Sequence, residues 1–324
     1  MYHFIVNPVS RSGKGLILWQ KKIEPILKKK NIPYRVEYTK QRGDTTELCR
    51  KISASAKNED NCIIVALGGD GTVNDAVQGI EDFENTTFAL IPTGSGNDFA
   101  KDMKISKNVK KTLKKILSAK KAVQIDLGKV TTDRTVRKFA VSCGFGYDAA
   151  IAQKTTHSIL KKRLNKIGLG KLVYLFLGIQ QVFKAPDADA DIEFDDGRKI
   201  HLPKVLFAVS MVHKYEGGGM MFCPKAKYDD GLLDMCHIHS KSVPGFFAAL
   251  PFAFSGLHCL FPGIKLEKFK KCTITTSIPL WLATDGEVWQ KADRIIVESL
   301  PGKLKRSEER RVGKECRSRW SPYH

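Results

Sequence analysis

Three glycine-rich segments carry the residue types that bind phosphate groups. They are NPVSRSGKG (residues 7–15), GGDGT (68–72) and PTGSGND (92–98). Glycine lets backbone N–H groups approach an anion closely, and a helix that begins at such a loop adds the positive end of its dipole. Asp70 adds a carboxylate that suits a Mg²⁺ shell. The segments predict a polyphosphate site, although the first, taken alone, also fits a plain polar turn, and the second also fits a turn in which Asp70 caps a helix.

The first segment differs from a Walker A loop. Pro8 stands where the first glycine of that loop would be, and Gly15 follows Lys14 in place of Ser or Thr. Small residues and a lysine before a helix still suit a phosphate group, because backbone N–H groups and a cation converge there.

Two acidic turns late in the chain are further candidates for chemistry. Thr284-Asp285-Gly286-Glu287 is, from its residues alone, a hairpin turn. The stretch KAKYDDGL (225–232) contains the hairpin signal Asp230-Gly231, and from its residues alone a turn is favoured over a metal site.

The elements that must position these segments change character near residue 122. Before it, short apolar runs alternate with helical stretches, which predicts an open, mainly parallel sheet with its ligand at the carboxyl ends of the strands. After it, strand follows strand, which predicts a larger, mainly antiparallel, β-sandwich-like domain with a few helical insertions. We expect an α/β domain over 1–122 and a β-rich domain over 123–306. The family resemblance described below implies that the first domain binds a nucleotide, that the last segment of the second returns to the first, and that the nucleotide cleft lies between them. Over 307–324 we expect a non-native or disordered basic tail.

The charge balance points to an anionic partner. The chain of 324 residues has 54 Lys and Arg against 34 Asp and Glu, a net charge of +20. Five of these positive charges belong to the residues from Lys303 onwards. Nucleic acid, a phospholipid surface and a polyphosphate all fit such a charge. The basic stretch 154–171 and the uncharged, Phe-rich and Pro-interrupted stretch 242–264 favour a lipid surface, the latter as a short apolar helix and loop rather than a membrane span.

Eight cysteines without a CxxC pair indicate a reducing compartment, and the opening residues lack the plan of a signal peptide. We therefore expect a cytoplasmic protein, peripheral at the inner face of the cell membrane.

GGDGTVN (68–74) followed by PTGSGNDFA (92–100) resembles the diacylglycerol kinase catalytic domain of bacterial soluble lipid kinases. Sphingosine and ceramide kinases are relatives of that family, and NAD kinases share the GGDGT element. The resemblance covers roughly residues 2–306 and includes SCGFGYDA (142–149), GGGMMFCPKAKYDDGLLD (217–234) and TDGE (284–287). Arg11 is an extra residue relative to the family's first loop, and Ser95 stands where threonine is common.

The resemblance implies roles for individual residues. Glu287 would be the general base, with Asp285 in the metal or water network and Asp70 beside it in catalysis. A structural Mg²⁺ would be held through backbone oxygens and an aspartate, at Lys227, Asp230 and Leu232. The residues implied to bind ATP are Asn7, Pro8, Ser10, Ser12, Gly13, Lys14, Thr39, Gly68, Gly69, Asp70, Gly71, Thr72, Asn74, Thr93, Gly94, Ser95, Asn97 and Asp98.

The resemblance implies an ATP-dependent, Mg²⁺-requiring lipid kinase that converts diacylglycerol to phosphatidic acid at an anionic membrane surface. A kinase for a sphingoid base, another lipid alcohol or NAD is the alternative, and the PTGSGNDFA and DGE elements favour the lipid branch. A non-catalytic, basic membrane- or nucleic-acid-binding protein is an alternative of another class. No aromatic-and-basic nucleic-acid motif is present, so no nucleic-acid partner is expected. A homodimer is left open.

Overall fold

The computed structural model describes residues 1–59, 61–94, 96–119, 121–146, 187–239, 245 and 248–308. Its first part alternates strands with helices. In chain order the elements are β1 (Tyr2–Val6), α1 (Ser10–Gly13), α2 (Gly15–Leu18), a π-helical turn (Trp19–Ile23), α3 (Glu24–Lys29), β2 (Tyr34–Tyr38), α4 (Asp44–Ala54), a 3₁₀ turn (Ala56–Asn58), β3 (Cys62–Gly68), α5 (Asp70–Gly79), β4 (Thr86–Pro92), α6 (Asp98–Asp102) and α7 (Val109–Ser118).

The second part is dominated by strands. They are β5 (Lys121–Thr131), β6 (Val136–Phe139), β7 (Ser142–Gly146), β8 (Ala190–Phe194), β9 (Lys199–Leu202), β10 (Val205–Met211), β11 (Leu233–His239), two 3₁₀ helices (Leu250–Phe254 and Leu257–Leu260), β12 (Ile264–Phe269), β13 (Lys271–Thr284) and β14 (Glu287–Glu308).

The first four strands form a parallel sheet in the order β4-β3-β1-β2. β3 is an unbroken apolar run, and six of its seven residues are buried because helices cover both faces of the sheet. On one face Phe4 and Trp19 pack with α7, and on the other Val73 and Val77 of α5 pack with α4. The sheet therefore has a packed layer of helices on each side, and its loops are left at the strand ends.

The later strands pair antiparallel, and β14 joins them to the first sheet. β14 pairs antiparallel with β13 and β5, and its Lys305 and Arg306 pair in parallel with Thr87 and Phe88 of β4. The fourteen strands found in the described residues therefore form one continuous sheet. The expected fold class, a parallel α/β part followed by a mainly antiparallel β part, is confirmed.

The hairpin between β13 and β14 is a two-residue turn. Asp285 has φ +50° and Gly286 has φ +80°. A type I′ turn needs positive φ at both central residues, which Asp-Gly tolerates best, so the sequence dictates a tight turn here. This turn sets Glu287 at the first position of β14.

Some elements differ from the sequence-based expectation. The pattern of RKFAVSCGFG (137–146) predicts one strand, but the segment is divided between β6 and β7, because the backbone N–H groups of Ala140 and Val141 donate to the Asp285 carboxylate. α7, β9 and β12 were not predicted. β14 ends at Glu308, so the strand runs two residues into the predicted tail.

Two predicted segments bear on membrane contact. The basic stretch 154–171 lies outside the described residues, as does part of the Phe-rich stretch. The described part of that Phe-rich stretch contains the two 3₁₀ helices at 250–254 and 257–260. In the part of the chain that the structure describes, every helix is too short or too polar to cross a membrane.

Candidate functional site

Four parallel strands end at the same edge of the first sheet. Val6 of β1 lies beside Tyr38 of β2 and Leu67 of β3, and Gly68 lies beside Pro92 of β4. The residues after these ends are tied together by backbone hydrogen bonds, since Thr39 N donates to Val6 O (3.0 Å) and Thr93 N donates to Gly68 O (2.8 Å). The three glycine-rich segments and Thr39 thus emerge on one edge.

The second and third glycine-rich loops are in direct backbone contact. A methyl group placed on Gly69 would lie 3.0 Å from Gly94 Cα, and one placed on Gly94 would lie 2.6 Å from Gly69 Cα. Any side chain at either position would force the loops apart. Thr72 folds over Gly68 in the same way, because a methyl group there would overlap the Thr72 side chain.

Asn97 closes the third loop on itself. It has φ +57°, its Nδ2 donates to Gly94 O (2.6 Å), and its Oδ1 accepts from Gly94 N (3.1 Å). Ser95, predicted to bind nucleotide, lies outside the described residues.

The first loop touches the third. Thr93 Oγ1 donates to Ser10 Oγ across 3.1 Å, and Asn7 Oδ1 accepts from Val9 N (3.1 Å). A methyl group on Gly15 would overlap Asn7 O, so glycine is required there. Leu16 N donates to Pro8 O (3.4 Å), which completes the turn into α2.

An open space lies beside the first loop. Gly13 has φ +86°, nothing lies within 4 Å of a methyl group placed on it, and Lys14 beside it is exposed. The Ser12 side chain lies outside the described part of the structure.

Two carboxylates face each other across the second and third loops. A methyl group on Gly96 would lie 3.0 Å from Asp70 Oδ2 and 3.9 Å from Asp98 Oδ2. Asp70 Oδ1 accepts from Phe99 N (3.1 Å) and Asp98 Oδ2 accepts from Gly218 N (2.8 Å). Asp98 is only 6% exposed, and within the described residues its Oδ1 has no hydrogen-bond partner. Burial, together with the charge of Asp70, raises the pKa of Asp98 to about 6.

The Asp285 carboxylate accepts four hydrogen bonds from other residues of the protein. Its Oδ1 accepts from Val141 N (2.7 Å) and Ser142 N (3.0 Å), and its Oδ2 accepts from Ala140 N (3.0 Å) and Asn74 Nδ2 (2.9 Å). Burial raises the pKa of this carboxyl, and the four hydrogen bonds oppose that rise. In this structure Asp285 therefore fixes the turn and reaches Asn74 of α5, while a role in a metal or water network stays a prediction.

The Glu287 carboxylate lies against the second glycine loop. Its Oε1 is 3.6 Å from the position of a methyl group on Gly71. Its Oε2 is 3.1 Å from Arg42 Nη2, on a side chain that is 70% exposed. An ion pair with so exposed a partner adds little stability, so Arg42 can leave Glu287 at low cost.

Three further charged residues lie here that the sequence motifs did not reveal. Arg42 pairs with Glu287, Arg137 Nη2 donates to Asn74 Oδ1 (3.1 Å), and Asp75 follows Asn74 on α5. Burial and then the charge of Glu287 raise the pKa of Asp75 to about 6, against the opposing charges of Arg42 and Arg137. The spacing could have revealed Asp75, because positions 71 and 75 of one helix share a face.

The predicted metal loop is separate from the glycine loops, and its Asp230 carboxylate is paired with the ammonium group of Lys268. Asp230 Oδ1 accepts from Leu232 N (3.2 Å), and Asp230 Oδ2 is 2.7 Å from Lys268 Nζ. Lys268 Nζ is also 3.5 Å from Asp234 Oδ2. Lys227, the third predicted ligand residue, is exposed at the start of this loop.

Asp126 ties the metal loop to β14. Its two carboxylate oxygens accept from Gly231 N and Gly302 N, both at 2.7 Å. Burial raises its pKa, and the charges of Asp230 and Asp229 add to the rise, so this end of the protein gathers several carboxylates.

Packed rings connect the metal loop to the glycine loops. The His213 ring centroid lies 5.6 Å from that of Tyr228 and 5.1 Å from that of Phe99, whose N–H binds Asp70. His213 Nδ1 is 2.9 Å from Asp102 Oδ2 at the end of α6.

Comparison with known protein families matches both parts of the chain. Residues 1–130 match the model described as diacylglycerol kinase catalytic domain. Residues 141–306 match the model described as YegS C-terminal NAD kinase beta sandwich-like domain.

Individual relatives and solved structures agree. YtlR of Bacillus subtilis (strain 168), provisionally named a lipid kinase, is 28% identical over 293 residues, covering 89% of this chain and 93% of the relative. "Diacylglycerol kinase" of Staphylococcus aureus (strain JH9) is 26% identical over 250 residues, covering 77% and 74%. A crystal structure from Bacillus anthracis str. Sterne, provisionally assigned as a diacylglycerol kinase, has a TM-score of 0.74 at 25% identity and covers 95% of this chain and 97% of its own. An NAD kinase from Archaeoglobus fulgidus in complex with ATP shares the fold, with a TM-score of 0.53 at 14% identity over 94% and 92% of the two chains.

Replacing Asp75 with Asn should raise stability at pH 7.5 and leave it nearly unchanged at pH 4. The raised pKa, about 6 against a usual 3.8, means that the folded chain holds this proton more tightly than the unfolded chain. The stabilisation that protonated Asp75 provides is fully present below pH 3.8, the usual pKa of the group, and is lost as the pH rises through about 6, its pKa in the folded chain. Asparagine should therefore add roughly 1 kcal/mol to the free energy of unfolding at pH 7.5, after discounting for partial exposure.

Urea unfolding at pH 4, 5, 6 and 7.5 measures this effect, with the exposed Asp293→Asn as control. A difference in the free energy of unfolding between Asp75→Asn and the wild type that stays the same at all four pH values would contradict the prediction.

Proposed function

Because this chain belongs to the family that joins a diacylglycerol kinase catalytic domain to a YegS C-terminal NAD kinase beta sandwich-like domain, we propose that it transfers the terminal phosphoryl group of ATP to a lipid hydroxyl. The preferred acceptor in this proposal is diacylglycerol, which would become phosphatidic acid. The relatives that carry the name diacylglycerol kinase support this choice.

The observation that carries the proposal is the position of Glu287 over the GGDGT loop. The carboxylate lies 3.6 Å from the methyl position of Gly71, at the start of α5. A phosphate bound by this loop would therefore have a carboxylate at its side. A base must come within hydrogen-bond reach of the proton that it removes, and the position of Glu287 beside this loop supports that role.

In the proposed reaction Glu287 accepts the proton of the lipid hydroxyl. The lipid oxygen then forms a bond to the γ-phosphorus while the bond from that phosphorus to the β,γ-bridging oxygen breaks, and ADP leaves. Such transfers depend mainly on positioning and on stabilising charge on the phosphoryl oxygens. Backbone N–H groups at the start of α5 and the ammonium group of Lys14 would supply that stabilisation.

The glycine loops fit the phosphates of ATP. Gly13 and Gly71 leave room for an anion to touch the backbone, since a methyl group at Gly13 meets nothing within 4 Å and one at Gly71 meets only Glu287. Asn97 and the contact of Gly69 with Gly94 hold this surface in shape.

The Asp70 and Asp98 carboxylates fit a Mg²⁺ ion that accompanies the nucleotide. They face one point beside Gly96, and the buried Asp98 Oδ1 lacks a hydrogen-bond partner within the described residues. Carboxylate oxygens are the ligands that Mg²⁺ prefers. When bound, the ion would offset negative charge on the phosphate oxygens.

We also propose a second Mg²⁺ site in the loop of Lys227, Asp230 and Leu232, with Lys268 as its competitor. The donor chemistry suits a hard cation, because Asp126 and Asp234 surround Asp230 with further carboxylates. The Lys268 ammonium group already bridges Asp230 and Asp234. The positive charge of Lys268 would repel a divalent cation at the same carboxylates, so in this proposal binding of Mg²⁺ displaces the lysine.

Incubation with Mg²⁺, labelled ATP and separate acceptors should give label transfer to diacylglycerol. The acceptors are dispersed diacylglycerol, a sphingoid base, NAD and no acceptor. Asp70→Asn is the matched variant, because its side-chain oxygen still accepts from Phe99 N while the negative charge is lost. Transfer should fall at least tenfold in this variant, since losing a single charge-stabilising group costs on that order. Label transfer to NAD alone would refute the proposal. A folded sample that transfers label to none of the acceptors would also refute it.

Glu287→Gln should lower kcat at least a hundredfold and change the affinity for ATP less than threefold, because a general base acts on the proton and not on the nucleotide. Steady-state kinetics and nucleotide binding measure the two effects. Glu298→Gln removes a carboxylate elsewhere on β14 and serves as control. An unchanged kcat for Glu287→Gln would exclude this residue as the base.

Lys268→Ala should make thermal stability respond to Mg²⁺. Removing the ammonium leaves Asp230 and Asp234 without their bridging cation, so 5 mM Mg²⁺ should raise the melting midpoint by about 2–4 °C more than in the wild type, a gain of about 1 kcal/mol. Differential scanning fluorimetry without nucleotide reads this out, and Lys265→Ala on the same strand is the control. Equal shifts in the wild type and Lys268→Ala would show that the ion and Lys268 do not compete.

A further inference from the structure

The two 3₁₀ helices at 250–254 and 257–260 present an apolar patch to solvent. We use this name for Phe252, Phe254, Leu257 and Leu260, which are 44%, 53%, 50% and 79% exposed. They are four of the nine large hydrophobic side chains that are exposed in the described part of the chain. Their concentration within nine consecutive residues is unusual for a protein surface, where exposed apolar groups are normally scattered.

The apolar patch is held on a packed support. Met221 N donates to Ala253 O (2.7 Å), and Ala253 itself is buried. His258 is also buried, with its Nε2 3.2 Å from Phe222 O. The patch is therefore a fixed feature of the fold, since buried residues between its members anchor both helices.

A lysine-rich cavity of about 620 Å³ opens in the same domain. Asp234 and Glu267 are its two acids, and each already has a partner, Lys268 for the first and Arg198 for the second. The other three lysines of the lining form no ion pair with any described residue. These are Lys214, Lys225 and Lys227.

The cavity adjoins the apolar patch. Pro224 lines the cavity and packs against Gly256, between the two 3₁₀ helices, where a methyl group would lie 3.0 Å from Pro224 Cβ. Burial raises the pKa of Cys259, next to Leu260, and the nearby charge of Lys225 partly offsets this rise. Unpaired cationic charge and exposed apolar surface thus lie side by side.

We propose that the apolar patch and the lysine cavity together form the surface by which this protein docks on an anionic phospholipid bilayer. The patch enters the acyl boundary, and Lys214, Lys225 and Lys227 meet the headgroup phosphates. The inference rests on the proposed function, because a lipid kinase must reach a substrate that is held in a bilayer.

An anionic bilayer fits this surface better than a second copy of the chain. Two copies that met through their apolar patches would bring Lys225 towards its own counterpart, and the chain carries a net charge of +20. A bilayer with anionic lipid offers an apolar layer directly beneath a negative one, in the same order as the patch and the lysines.

Sedimentation with vesicles of phosphatidylcholine, with and without 30% phosphatidylglycerol as an approximate physiological charge, tests the surface directly. Leu257→Ser combined with Leu260→Ser should weaken binding to the anionic vesicles about tenfold or more. Lys225→Gln combined with Lys227→Gln should weaken binding about tenfold on anionic vesicles and leave binding to neutral vesicles unchanged. All measurements omit nucleotide and diacylglycerol, and melting curves verify folding.

Two matched controls accompany these variants. Val136→Ser removes one apolar side chain on β6 that is 58% exposed, and Lys110→Gln with Lys114→Gln removes two exposed lysines of α7. Neither control should change binding by more than twofold. Loss of binding in the controls as large as in the test variants would overturn the proposal.

Three other outcomes would also overturn it. One is absence of vesicle binding by the wild type. A second is binding of inorganic phosphate by the lysines without vesicle binding. The third is a change from dimer to monomer in the Leu257, Leu260 variant with vesicle binding retained, which would make the patch a contact between copies.

Phosphorylation of a short-chain diacylglycerol in detergent micelles separates this proposal from the proposed function. Activity in micelles without vesicle binding would support the proposed function and refute the docking surface. Vesicle binding as described without phosphorylation of any lipid would support the docking surface and refute the proposed function.

Discussion

The Asp285 carboxylate accepts hydrogen bonds from three successive backbone N–H groups, of Ala140, Val141 and Ser142, and from the side chain of Asn74. This one group therefore joins the β13–β14 hairpin, the break between β6 and β7, and helix α5. Without the carboxylate, buried donors would lack acceptors, and each such loss costs roughly 1–3 kcal/mol. The distance from Glu287 to the GGDGT loop depends on this junction, because Glu287 lies only two residues after Asp285 on a tight turn.

The chemistry of the site divides between the two parts of the chain. The parallel sheet supplies backbone surface and the carboxylates of Asp70 and Asp98, as expected where parallel strands end. The antiparallel part supplies Glu287 and the Gly218 N–H that binds Asp98. Each part alone lacks either the glycine-rich loops or the candidate base, so the junction through Asp285 and the pairing of β14 with β4 decide whether the site forms.

The sequence predicted the parallel strands and the neighbouring positions of the glycine loops because both follow from local patterns. A continuous apolar run such as Cys62–Gly68 identifies a buried strand, and parallel order then brings the loops together. The role of Asp285 could not be predicted, because its partners lie more than 140 residues away and the four hydrogen bonds depend on tertiary structure. Arg42 was missed for the same reason, and Lys268 was missed because its pairing with Asp230 and Asp234 likewise depends on tertiary structure. The split of β6 from β7 leaves no local signal, since Ala140 and Val141 are ordinary strand residues.

The pairing of β14 with β4 has a consequence for synthesis on the ribosome. Strands β1 to β4 emerge first, yet the neighbour of β4 within the sheet is contributed by Lys305 and Arg306. Until those residues leave the exit tunnel, β4 has an unpaired edge, and exposed edges invite contact with other chains. The β4 edge therefore stays without its neighbour while more than two hundred further residues, from Pro92 to Lys305, are translated.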